Sequence, residues 1–66
     1  MLRPREIISA LSKQGFWLKS QSGSHAKYTN GIRAAIVPMH NLVDRWTFKD
    51  ILAQADIELE DFLKLL

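Results

Sequence analysis

The sequence predicts an α+β domain, a three-stranded antiparallel sheet with helices on one face, in the order α-β-β-β-α-α. Three observations carry this. Asn30-Gly31, set between two short runs of strand formers, is the strongest short-range hairpin signal a sequence can offer. Ser22-Gly23 marks a second turn one strand earlier. Apolar residues at helical spacing flank the strands, with Ile7, Ile8 and Leu11 before them and Phe48, Ile51, Leu52 and Ala55 after them.

Each element has its own signals. Pro4 suits the first turn of a helix, where its missing N–H costs nothing, and Gly15 is a good stop, so helix is expected over about residues 4–14. Phe16 to Gln21 reads as an aromatic-rich first strand, Ser24 to Thr29 as the second and Ile32 to Val37 as the third, ended by Pro38. As a two-residue loop, Asn30-Gly31 sets Thr29 opposite Ile32, Lys27 opposite Ala34 and His25 opposite Ile36 on one sheet face. Tyr28, Ala26 and Ser24 then oppose Arg33, Ala35 and Val37 on the other. An unpaired lysine is almost never buried, so Lys27 and His25 belong outside and Ala26, Ala35 and Val37 inside. Residues 39–46 form a loop, Thr47 is the expected N-cap of the second helix with Asp50 at N3, and Ile57 to Leu66 is the expected third helix. In that helix Leu59, Phe62, Leu63 and Leu66 form one apolar face, a core or partner contact. This order resembles that of the double-stranded-RNA-binding domain, with an extra turn of helix at the C-terminus.

Composition bounds the function. The 66 residues make one domain, 1–66, which buries only about 60% of the surface its unfolded chain exposes. A site on an open surface is expected rather than a deep pocket. The chain has no cysteine, which removes disulfides and thiolate zinc sites and fits a reducing cytosol. No apolar run approaches the roughly 20 residues of a membrane span. The first fifteen residues alternate charge with apolar groups, unlike a signal peptide. The net charge of +2 divides into +5 over residues 1–50 and −3 over residues 51–66. The basic part suits a polyanion such as nucleic acid, although a solvated surface is the plainer reading.

Few side chains can do chemistry. His25 and His40 are the two imidazoles, and histidine is the side chain that titrates near neutrality. Two histidines with Asp44 make no convincing metal site, and no glycine-rich phosphate loop is present. No metal and no cofactor are expected. His25 follows a turn ending at Gly23, where backbone can pass close to a bulky anion. Lys27 lies one pleat further on the same face, and Lys19 and Trp17 can join from the first strand. A histidine among lysines beside an aromatic ring suits RNA, whose 2′-hydroxyl is a nucleophile that one imidazole can deprotonate without a metal. Lysines and turn N–H groups can stabilise the charge that builds on phosphorus. On spacing alone, a strand histidine without a role is the commoner case, and His40 at a strand exit is commoner still as a loop residue.

Four blocks then resemble the HicA family of bacterial toxins, the YcfA-like mRNA interferases. They are ALSKQGF (10–16), GSHAKY (23–28), VPMH (37–40) and TFKDILAQADIELEDFLKLL (47–66), in family order across essentially the whole chain. The resemblance implies a fold like the double-stranded-RNA-binding domain and a toxin that cleaves RNA as a metal-independent endoribonuclease in the bacterial cytoplasm. It implies neutralisation by a HicB-type antitoxin. It makes His25 the catalytic histidine, with His40, Ser24 and Gly23 in support. Lys27, Lys19, Trp17 and Arg33 are the expected RNA-binding residues, and the free chain is expected to be a monomer or weak dimer. Three positions depart from the family pattern: Ala26, often a second histidine or a bulky residue; Trp46, usually glycine; and Asp56, a helix stop that is usually glycine. Two other readings fit the same face: an RNA-binding module without catalysis, and a protein-interaction domain using Trp46, Phe48 and the C-terminal helix.

Overall fold

The computed structural model describes residues 2–66, and Met1 lies outside them. Helix α1 spans Pro4–Lys13, strands β1 to β3 span Trp17–Ser22, His25–Thr29 and Ala34–Pro38, and helices α2 and α3 span Arg45–Ala55 and Leu59–Leu63. The sheet is antiparallel in the order β1-β2-β3. Ala35 and Val37 of β3 lie fully buried with Ile7, Ala10 and Leu11 of α1 and Ile51, Leu52 and Ala55 of α2, together with Phe16, Val43 and Phe62. The helices therefore cover one face, centred on β3, while all six residues of β1 stay exposed at the free edge. No helix among the described residues is long and apolar enough to cross a membrane.

The β2–β3 register differs from the two-residue hairpin expected. Thr29 pairs with Ala34, Lys27 with Ile36 and His25 with Pro38, so the loop holds four residues, Asn30 to Arg33. Side-chain hydrogen bonds explain why. The Asn30 Oδ1 accepts from the backbone N–H of Ile32 at 2.9 Å and of Arg33 at 2.7 Å. The Thr29 hydroxyl donates to the Arg33 carbonyl at 2.7 Å and accepts from Gly31 N–H at 3.0 Å. These bonds satisfy the backbone groups of a four-residue loop from within the loop, which favours it over the two-residue turn. The shift is two residues, so the side-chain parity survives. Ala26, Ala35 and Val37 are buried, and His25 stays on the uncovered face with Lys27.

Helix α2 begins earlier than expected. Its N-cap is Asp44, not Thr47; the Asp44 carboxylate accepts from the Thr47 N–H at 2.8 Å, which puts Thr47 at N3, the position expected of Asp50. Asp reaches this orphan donor in the extended backbone conformation seen here, and aspartate leads the N-cap preferences. Asp56 ends the helix in the left-handed conformation, φ 57°, that the usual glycine would take without strain. Helix α3 is shorter than the expected 57–66, and of its stripe only Phe62 enters the core; Leu59, Leu63 and Leu66 are about half exposed.

Hydrogen bonds from the Thr47 N–H and hydroxyl hold the Asp44 carboxyl below its ordinary value. Because folding lowers this pKa, the cap contributes fully above the unfolded carboxyl value of about 3.9 and is lost as pH falls through the folded value. Asp44→Ala is expected to melt a few degrees below the parent chain near neutral pH, with the gap closing as the pH falls below the unfolded carboxyl value and through the lowered folded one. Melts followed by circular dichroism across that range check it; a gap independent of pH would count against a charged cap.

Candidate active site

The site begins with a turn. Ser22 pairs with His25, leaving Gly23-Ser24 as a two-residue loop. Gly23 has φ +57°, while Ser24 is not in the positive-φ region. Positive φ at the first central position alone is the demand that selects glycine there. The Ser24 carbonyl accepts from Met39 N–H at 2.6 Å, which ties the turn to the exit of β3.

That bond fixes how His25 sits. In an antiparallel ladder hydrogen-bonded and non-hydrogen-bonded pairs alternate. Ile36 donates its N–H outward to the Gln54 side chain of α2, 2.8 Å, so Lys27–Ile36 is a non-hydrogen-bonded pair. By alternation His25–Pro38 is another, where Pro38 loses nothing by lacking an N–H. Such pairs bring Cα atoms to about 4.5 Å, so Pro38 flanks the imidazole closely. His25 is exposed, and His40 follows Met39 at the same end of the sheet. Neither imidazole is engaged by a hydrogen bond from another described residue. No three His, Cys, Asp or Glu side chains among the described residues gather as metal ligands.

The structure divides the residues singled out in the sequence. Gly23, Ser24 and His25 lie at one end of the sheet, where His40 follows Met39 beyond the exit of β3, and Lys27 lies two residues along β2. Lys19 sits in a bulge of β1 between Leu18 and Ser20, beside the Ser20–Lys27 pair, a place where bulges re-aim side chains. Trp17 pairs with Thr29 at the other end, about 13 Å from His25 along the strand, with its ring against the hairpin near Gly31. Arg33 lies beyond Thr29 and pairs with Asp56 at 3.5 Å, the one ion pair among the described residues. Both its side chains are more than half exposed, so it contributes little to stability.

Two residues had no signal in the sequence. Leu2 and Val43 form an isolated bridge, with Leu2 N–H to Val43 O at 3.3 Å and Val43 N–H to Leu2 O at 2.7 Å. This clamp carries Arg3 and Arg5 against the loop that holds His40. Pattern reading finds pairings of consecutive strands, not a single bridge over forty residues. Elsewhere Trp46 is exposed, with the Arg45 guanidinium 5.2 Å and the Lys49 ammonium 5.1 Å from its ring centre, and it borders an apolar groove with Phe48, Leu63 and Leu66.

A family model, described as HicA toxin of bacterial toxin–antitoxin systems, matches residues 4–57. The chain belongs to the HicA toxin family. The match runs from the first residue of α1 to just past the stop of α2, so it includes the Gly23-Ser24-His25 turn and His40. Helix α3 of this HicA-family chain lies beyond it. A toxin of this family is one half of a toxin–antitoxin pair. Comparison with curated proteins finds no match.

Proposed function

We propose that this HicA-family toxin is a metal-independent endoribonuclease, with His25 as the group that acts on the RNA 2′-hydroxyl. The observation that carries the reading is the exposed, unengaged imidazole of His25, held by a glycine turn on the bare sheet face of a toxin-family fold. The imidazole takes the 2′-hydroxyl proton as that oxygen bonds to the adjacent phosphorus. The bond to the 5′-oxygen breaks, and His40, the second imidazole at this end, supplies the proton to the leaving oxygen. Lys27, Lys19 and the turn amide of Ser24 face the charge that develops on the phosphoryl oxygens. Trp17 and Arg33, at the far end, serve a longer stretch of the same strand. The substrate is cellular RNA, chiefly mRNA, in the bacterial cytoplasm, and a HicB-type antitoxin that covers His25 is the simplest neutraliser.

The test is to incubate purified protein with a labelled RNA in excess chelator and analyse the ends. Cleavage to 2′,3′-cyclic phosphate and 5′-hydroxyl termini is expected. An RNA that is retarded on a gel but never shortened would instead identify a binding module, and cleavage abolished by the chelator would overturn the metal-independent route.

A further inference from the structure

Of the nine lysines and arginines, several are already engaged. Arg33 pairs with Asp56, Lys13 donates to the Leu65 carbonyl at 2.7 Å, and Arg45 and Lys49 lie over Trp46. Arg3 and Arg5 have no carboxylate partner among the described residues, and both are exposed. They line a groove of about 560 Å³ with Met39, His40, Asn41 and Leu42. No acidic residue is among those that line it. The nearby Glu6 carboxylate is turned to the backbone, accepting from Arg3 N–H at 3.0 Å.

This groove continues the site. Its far wall is the loop after Pro38, the residue opposite His25, and the loop is held at one end by the Met39–Ser24 bond and at the other by the Leu2–Val43 bridge. His40 is shared, standing two residues from Pro38, at most about 7 Å of chain, and lining the groove itself. A polyanion whose reacting phosphate lies at His25 meets two guanidiniums next along this path, and guanidinium forks match phosphate oxygens in bidentate geometry.

We infer that the groove between the start of α1 and the β3–α2 loop is an RNA-backbone subsite, in which Arg3 and Arg5 hold the phosphates next to the one attacked. The inference rests on the ribonuclease reading and goes beyond it by assigning residues and a direction to the RNA track. The strand leaves His25 over the loop toward α1, not only across the sheet toward Trp17.

The test is binding of a short single-stranded 2′-O-methyl oligoribonucleotide, which lacks the nucleophile and cannot be cut, by fluorescence anisotropy over a salt series. Each phosphate contact on a single strand contributes about 0.7 to the slope of log K against log salt, so Arg3→Gln with Arg5→Gln should lower the slope by about 1.4. Affinity near physiological salt should fall about tenfold or more. The matched control, Arg45→Gln with Lys49→Gln, removes the same charge elsewhere and should leave the slope unchanged. Both pairs are exposed, so thermal melts report whether either variant is misfolded. If the Arg3/Arg5 variant binds as the parent does, or if the control falls equally, the subsite is overturned while the ribonuclease reading stands. If the parent chain binds no RNA at any salt, both are overturned.

Discussion

His25→Ala should lose RNA cleavage by about 10²–10⁴-fold, the range over which a positioned acid or base contributes, and with it growth arrest on expression. The melting temperature should hardly move, because an exposed side chain without partners changes stability by less than about 0.5 kcal/mol when replaced. That separation makes the experiment informative: an inactive but folded variant indicts the imidazole rather than the scaffold. Undiminished cleavage would remove His25 from the mechanism. The division of labour with His40 is open to a sharper test. A substrate whose 5′-bridging oxygen is replaced by sulfur leaves without a proton. On it, His40→Ala should recover most of its lost rate and His25→Ala should not. Recovery by both, or by neither, would mean that His40 is not the acid.

Phe62→Ala should cost about 3–5 kcal/mol, the usual range for emptying a buried aromatic site. Phe62 is completely buried, and its ring meets Phe48 edge-on, with centroids 4.9 Å apart and planes at 69°. A domain of this size has a stability of about 3–10 kcal/mol, so the loss is comparable with the whole. Even at 3 kcal/mol the melting temperature should fall by about 12–24 °C. The measurement belongs on the isolated chain, since a bound antitoxin would restore stability by mass action. A shift of only a few degrees would show that α3, one short helix outside the matched family region, adds little to the core.

The parts of this molecule that could be read from the sequence are those governed by local rules. Pro4, Gly15, the turn glycine Gly23 and the apolar spacing of α1 and α2 each act within a few residues, and the order of elements follows from them, although the turn is Gly23-Ser24 and not the expected Ser22-Gly23. The inward set Ala26, Ala35 and Val37 was legible because parity survives an even slip in register. The slip itself was not, because it depends on the Thr29 and Asn30 side chains bonding the loop backbone instead of leaving Asn30-Gly31 as a minimal turn. The start of α2 differs from the expected Thr47 for a similar reason: the cap is Asp44, chosen by the extended backbone conformation at that residue and not by residue type. At the proposed site, His25 is legible in its turn and its family signature. Arg3 and Arg5 of the proposed subsite are not, since a bridge between residues 2 and 43 leaves no periodic trace.

The hydrogen bond from Ile36 N–H to Gln54 has a use outside stability. Ile36 lies on the outward edge of β3, where a bare strand amide would exchange its proton with solvent quickly. Any protection of this amide therefore depends on α2 staying docked, whereas that of Val37 N–H, directed into the ladder, depends on the sheet. The difference between the two neighbouring amides in a hydrogen-exchange spectrum gives a clock for the helix alone. It would register whether α2 lifts from β3 when RNA or an antitoxin binds, without a label and without altering a residue.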